Sequence, residues 1–379
     1  MTSKSLISAL WRLLRARSTI IAVTLWITIG SAVVPLSQAN AADYGSLTQG
    51  VVERIWGASR FETAAAVSAA AFDTGVPVAY VATGFNFPDA LAGAAATGGD
   101  GPILLVATDT LPQATADELQ RLAPAEIIIL GGTGVVSPSV ESALATYTTG
   151  AVTRLSGSDR YASAAAVSAA TFAPGVPVAY IATGLDFPDA LAGGPVGALR
   201  GGPILLVGSS IPAATAAELQ RLAPDEIVIL GGTGVVSSSV ESALATYTTG
   251  AVRRLSGPNR YATAAAISQD YFTPGVPVVY IATGLNYPDA MSGGPAAAHQ
   301  GGPMLLVGQN VIPGETRQEL LRLETARIVV LGGTGAVSDA VLADLESYLA
   351  PVAVDDSATT PEGTLVVIDV VANDVDGNL

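Results

Sequence analysis

A segment of about 100 residues is written three times along this chain, and that period constrains the fold more than any composition figure. Arg60-Phe61, Arg160-Tyr161 and Arg260-Tyr261 open matching Ala-rich stretches. Thr83-Gly84, Thr183-Gly184 and Thr283-Gly284 follow, then Pro88-Asp89, Pro188-Asp189 and Pro288-Asp289. Leu130-Gly131-Gly132-Thr133, Leu230-Gly231-Gly232-Thr233 and Leu331-Gly332-Gly333-Thr334 close the copies. The third closing motif is offset by one residue, because Val311-Ile312 stands where the second copy has only Ile211. Solenoid repeats run to about 20–50 residues, so each copy here has the size of a small domain.

The middle copy, 151–250, reads as an α/β unit. Val152 to Ser156 is a short strand ending at Gly157, and Tyr161 to Thr171 has apolar positions at helical spacing, stopped by Pro174-Gly175. Val178 to Ala182 is a near-continuous apolar run, as in a strand buried on both faces. Asp189 to Leu199, Ala214 to Leu222 and Ser239 to Tyr247 read as helices, with Pro203–Val207 and Glu226–Leu230 as strands between them. Such alternation predicts right-handed crossovers and a small parallel sheet covered by helices. Units 51–150, 151–250 and 251–350 have almost no linker, Thr249-Gly250-Ala251 being all that separates two of them. Three like units with like interfaces predict a closely packed, pseudo-threefold arrangement.

The ends have other compositions. Residues 1–41 carry Lys4, Arg12, Arg15 and Arg17, an apolar stretch from Thr19 to Val34, and Ser37-Gln38-Ala39-Asn40-Ala41. That is the pattern of a secretory signal cleaved after Ala41, and the apolar stretch is short for a membrane span of about 20 residues. Losing those four cations takes the net charge from −15 to −19. A field of that sign repels nucleic acid and anionic lipid, so neither is an expected partner. The chain contains no Cys, which excludes thiol nucleophiles and thiolate metal sites. Residues 352–379, including Thr359-Thr360-Pro361-Glu362-Gly363 and Asn373-Asp374-Val375-Asp376-Gly377, are expected to begin a β-sandwich module that the sequence breaks off.

Arg-Leu-Ser-Gly-x-x-Arg-Tyr, Ala-Thr-Gly-x-x-Phe/Tyr-Pro-Asp-Ala, Gly-Pro-Ile-Leu-Leu-Val and Ile-Leu-Gly-Gly-Thr-Gly occur together in each copy, with small variations. The set resembles the type 2 cell-wall-binding repeat, carried in threes by surface proteins of Gram-positive bacteria, and the tail resembles a cadherin-like or immunoglobulin-like module. The resemblance implies Toprim-like α/β units forming an intramolecular trimer. It also implies non-covalent attachment of a secreted protein to an anionic cell-wall polysaccharide or teichoic-acid-like polymer. The Ile-Leu-Leu motif that matters for retention in some relatives falls at Leu104 and Leu205 with their neighbours, and becomes Met304-Leu305-Leu306 in the third copy. The same residues are what a buried core strand needs.

Ligands of open parallel sheets bind beyond the carboxyl ends of the strands, where the shared motifs fall. Arg60, Arg160 and Arg260 are the first candidates for holding the polymer, since a planar fork suits phosphate or carboxylate. The alternative is an internal ion pair of Arg60 with Asp89, Arg160 with Asp189, and Arg260 with Asp289. Arg54, Arg154 and Arg254 are expected to add to a basic stripe. Gly132, Gly232 and Gly333 precede a helix and are candidates to present backbone N–H groups to an anion. Asp89, Asp189 and Asp289 stand where a helix N-cap belongs.

No Ser/His/Asp set, metal-spaced cluster or cofactor motif is legible, and His299 occurs in one copy alone, as a surface helix residue. Three copies of one site favour multivalent attachment over an enzyme. The rivals are a wall-associated hydrolase using strand-end carboxylates such as Asp89 and Glu126, and self-assembly into a surface layer. Divalent cations remain candidate partners for bridging an acidic protein to an anionic polymer.

Overall fold

Each strand of the repeat joins a parallel sheet, but the sheets do not follow the sequence period. A computed structural model describes residues 50–350, so the signal sequence and the C-terminal module expected above lie outside the described residues. The first copy supplies β1 (Val51–Ile55), α1 (Arg60–Ala71), β2 (Val78–Thr83), α2 (Pro88–Ala96), β3 (Ile103–Val106), α3 (Gln113–Leu122), β4 (Glu126–Leu130) and α4 (Pro138–Leu144). The second supplies β5 (Val152–Leu155), α5 (Arg160–Thr171), β6 (Ala179–Thr183), α6 (Pro188–Leu191), α7 (Gly193–Arg200), β7 (Ile204–Val207), α8 (Ala213–Leu222), β8 (Ile227–Leu230) and α9 (Ser238–Leu244). The third supplies β9 (Val252–Leu255), α10 (Arg260–Tyr271), β10 (Val279–Thr283), α11 (Pro288–His299), β11 (Met304–Val307), α12 (Gly314–Leu323), β12 (Arg327–Leu331) and α13 (Asp339–Leu345).

The sheet orders are β3-β2-β4-β5, β7-β6-β8-β9 and β11-β10-β12-β1. The leading strand of each copy therefore completes the sheet of the copy before it. The chain closes on itself when β1 pairs with β12, with Val51 opposite Arg327 and Ile55 opposite Leu331. The expectation that Val152–Ser156 opens the sheet of its own unit is corrected here. A strand joined to its own helix by only Ser156 to Asp159 is free to lie beside either neighbour, and β4 offers it an open edge.

Charges mark the partner at two of these seams. Arg253 on β9 holds Glu226 at 2.8 Å, whereas Arg327 at the start of β12 holds Glu53 of β1 at 2.6 Å. The signs are exchanged between the two seams, so β1 placed beside β8 would set Glu53 near Glu226. Like charges on neighbouring strands destabilise the pairing. The change from Glu126 and Glu226 to Arg327, opaque in the sequence, is thus answered by Glu53.

Helices α2, α7 and α11 pack on one another at the pseudo-threefold axis. Small residues let them approach: a Cβ on Gly194 would sit 2.9 Å from the Ala94 Cβ, and one on Gly197 2.8 Å from the Ala95 Cβ. The expected helix from Asp189 to Leu199 is divided at Ala192 ahead of Gly193-Gly194-Pro195, while its counterpart α11 runs through Pro295 unbroken. The closing helix expected to reach Tyr247 ends at Leu244 and passes into a 3₁₀ turn over Ala245–Tyr247. Phe87, Phe187 and Tyr287 meet at one end of the axis, with ring centroids 5.4–5.9 Å apart and mostly edge-to-face.

Leu104, Leu205 and Leu305 are fully buried with their strand neighbours, so the Ile-Leu-Leu segment is core. A buried carboxylate recurs beneath the outer helices. Glu118 and Glu218 each accept the Ser68 or Ser168 hydroxyl and a two-pronged hydrogen bond from Arg121 or Arg221. Glu319 is gripped the same way by Arg322, but Ser268 Oγ is buried without a partner among the described residues.

Candidate functional site: the seams between repeats

The sheet exchange brings the shared motifs of two different copies together at the carboxyl end of each sheet. Asp189 follows β6, the loop Gly231–Gly234 follows β8, and Arg260 follows β9 at the head of α10. With Thr183 and Asn259 they line a cleft of about 400 Å³. The equivalent cleft at the closing seam, about 300 Å³, is lined by Trp56, Arg60, Asp289 and Gly333-Thr334-Gly335. At the seam between the first two copies Asp89 faces Arg160 and Ser163.

The Arg–Asp relation is therefore between copies, which corrects the pairing of Arg60 with Asp89 and its counterparts within one unit. Arg60 is the cation near Asp289, Arg160 near Asp89, and Arg260 near Asp189. The three guanidiniums form no ion pair within 4.0 Å among the described residues. Each donates one Nη1–H to a carbonyl of its own copy, that of Gly84, Gly184 or Gly284. Their remaining N–H groups have no acceptor among the described residues. The cations also lie over aromatic rings, Arg60 5.5 Å from Phe85, Arg160 5.8 Å from Phe87 and Arg260 6.0 Å from Phe187.

Arg54, Arg154 and Arg254 behave differently. Arg254 donates to the Gly231 and Val236 carbonyls at 2.7 and 2.9 Å and pairs with Glu241 at 2.8 Å. Arg54 bonds the Gly332 and Val337 carbonyls and Asp339, and Arg154 bonds the Gly131 carbonyl and Glu141. These forks are spent inside the protein, clamping each leading strand to the sheet it joins.

Asp89, Asp189 and Asp289 are not N-caps. The helices begin at the preceding proline, with Phe87, Phe187 and Tyr287 as the capping residues, so the aspartates sit within the first turn. A proline fits that first position because its missing N–H had no helical acceptor anyway. Each carboxylate packs instead against the first glycine of the Gly-Gly loop. Gly231 has φ +105°, and a Cβ there would lie 2.4 Å from Asp189 Oδ2. The second glycine is different: Gly132 and Gly232 have nothing within 4 Å of an added Cβ. N–H groups of Gly232, Thr233 and Gly234 meet no acceptor among the described residues.

Burial pushes all three aspartates above their ordinary value, and the Ser163 and Thr263 hydroxyls beside Asp89 and Asp189, with the neighbouring arginines, only partly draw them back. Folding thus favours their protonated form. The stability this supplies is complete below the ordinary value of 3.8 and is lost as pH rises through the raised value. D89N/D189N/D289N should therefore gain stability relative to the parent as pH rises from about 4 to about 7. Melting curves across that range check this, and a gap that moves the other way would show that the arginines dominate.

Asp89 and Glu126 do not form a hydrolytic pair. Asp89 lies against Gly131 beyond the carboxyl end of β4, and Glu126 opens that strand at its other end. Five residues of strand put them roughly 16 Å apart, well beyond the separation of about 5–9.5 Å that glycoside hydrolysis uses. No group of His, Cys, Asp and Glu that could hold a metal occurs among the described residues. His299 ends α11 and its Nδ1 lies 2.7 Å from the Gly99 carbonyl, so it touches the first copy across the closing seam.

The three segments 54–141, 154–241 and 254–342 match the family model for cell wall binding domain 2, CWB2. The chain belongs to this family. Each CWB2 match begins at the arginine that clamps a leading strand. The chain is 31% identical over 305 residues to the N-acetylmuramoyl-L-alanine amidase LytC of Bacillus subtilis, covering 80% of this chain and 59% of that protein. It is 32% identical over 308 residues to the amidase enhancer of the same organism, covering 79% and 41%. The chain thus spans about half the length of these curated relatives. Among solved structures, Cwp6 from Clostridium difficile superposes with a TM-score of 0.74 at 24% identity, over 80% of this chain and 48% of that one. Cwp8 from the same organism gives 0.69 at 28% identity, over 77% and 51%. The three-sheet architecture is shared with both.

Proposed function

We propose that the three CWB2 repeats hold an exported protein to the cell wall by binding an anionic secondary wall polymer along the clefts between repeats. The observation that carries this reading is the recurrence, at the seams, of an arginine with unused donors beside a glycine loop with free N–H groups. A polymer with regularly spaced negative groups suits such a set, and each occupied cleft raises the effective concentration for the next. In this reading the repeats bind and do not catalyse, and the strand-end carboxylates shape the loops. No helix of the described residues is long and apolar enough to cross a membrane.

R60Q/R160Q/R260Q keeps length and polarity while removing three charges. The variant should fold as the parent does by circular dichroism and lose most of its co-sedimentation with purified walls. A charge-assisted hydrogen bond contributes about 1.5–3 kcal/mol, so three lost contacts weaken binding by two orders of magnitude or more. Direct arginine contacts survive chelator and weaken steadily with salt, whereas bridging divalent cations would fail at once in chelator. Normal folding with undiminished sedimentation would refute the arginine assignment.

A further inference from the structure

The three seams are not equal, and the closing seam has a feature the other two lack. Trp56 stands one residue beyond β1, where the second and third copies have Ser156 and Ser256. Its indole lies on Gly333, with Cε3 3.3 Å from the place a Cβ would take, and yet the residue is 57% exposed. A single exposed apolar side chain needs no explanation by itself. This one lines the cleft together with Arg60 and Gly333-Thr334-Gly335.

The head of α1 differs as well. Asp159 and Asn259 each accept two N–H groups at the start of their helices. Ser59 makes no such bond, so the N–H groups of Phe61 and Glu62 remain unclaimed among the described residues. The closing cleft also replaces the Asp159 carboxylate with a neutral hydroxyl. It therefore combines an open indole face, an arginine and free backbone donors within one concave site.

We propose that Trp56 is a stacking platform for a pyranose ring, and that the closing cleft binds a sugar unit of the polymer while Arg60 holds the neighbouring anionic group. The inference rests on the wall-polymer reading above. A rigid indole offers apolar area at low entropic cost and suits the C–H face of a sugar, while the anion is taken by donors beside it. Trp and Arg are also the residues that dominate binding hot spots. The other seams have room for the same device, since nothing lies over Gly132 or Gly232.

The test uses the full chain and polysaccharide released from purified Bacillus subtilis walls, either native or oxidised with periodate to open its sugar rings. W56S installs the residue the other copies carry, so it should melt as the parent does and bind native polymer about tenfold more weakly. S256W should bind more tightly than the parent. Periodate treatment should abolish the difference between parent and W56S, because opening the sugar rings removes the surface that stacks on the indole. The parent-minus-W56F fluorescence difference isolates the Trp56 signal and should shift on adding native polymer only. Parental affinity in W56S, or an equal gap on oxidised polymer, would overturn this inference alone. Failure of the parent to bind either polymer would overturn the wall-polymer reading with it.

Discussion

Removing Gly50–Ile55 should open the ring. The third sheet would keep β11, β10 and β12, and β12 would become a bare edge. A strand of five residues contributes several ladder hydrogen bonds at about 1 kcal/mol each, and the Arg54 clamp adds about 1.5–3 kcal/mol per charged bond. Burial of part of Val52 and Ile55 adds to this, and the sum approaches the 5–15 kcal/mol that holds an ordinary domain together. The expected result is an early melting transition for the third sheet, a larger radius by solution scattering, and concentration-dependent association through the exposed edge of β12. An unchanged melting profile and radius would mean that the central helices, and not the strand exchange, close the ring. The single variant R54A should lower stability by about 3 kcal/mol without the rise in radius, since the strand remains in place.

The second large effect lies in the buried carboxylates. Glu118, Glu218 and Glu319 are at most 5% exposed, and each is the acceptor for a partly exposed arginine fork. Removing one partner of such a pair leaves an uncompensated charge near the core, which costs about 3–5 kcal/mol when both are buried. The arginines here are about one-third exposed, so E118A and E218A should fall near 3 kcal/mol by chemical denaturation. The serines provide an internal control. S68A and S168A each break a hydrogen bond to the glutamate and should cost about 1–2 kcal/mol. S268A removes an oxygen that has no partner and should be neutral or slightly stabilising. A uniform cost across the three serines would contradict this account of the third copy.

These two effects explain why a single copy is a poor unit for study. The fragment 151–250 would lack β9, which its sheet requires, and would carry β5 with no β4 to pair with. Shifting the boundaries by one strand keeps a sheet whole but still strips α7 from its neighbours at the axis.

Much of the fold was legible in the sequence. Apolar runs such as Ile204–Val207 and Ile227–Leu230 are fully buried strands, and the Ala-rich segments after Arg60, Arg160 and Arg260 are helices. Periodicity reports burial, and burial on both faces is what a covered parallel sheet demands. The position of shared motifs beyond the strand ends was legible for the same reason. What the sequence left open was which copy meets which. Unlike β1 and β9, β5 has Thr153 where they carry a charge that marks the partner, so β5 beside β4 emerges only when the chain is folded. The Arg160–Asp89 relation, the clamp made by Arg154, and the ring of Phe87, Phe187 and Tyr287 all depend on that exchange. Glu53 facing Arg327 does too, although the two are 274 residues apart. Local pattern determined the elements and their covered faces; long-range pairing, which no local pattern encodes, decided the seams and therefore the site.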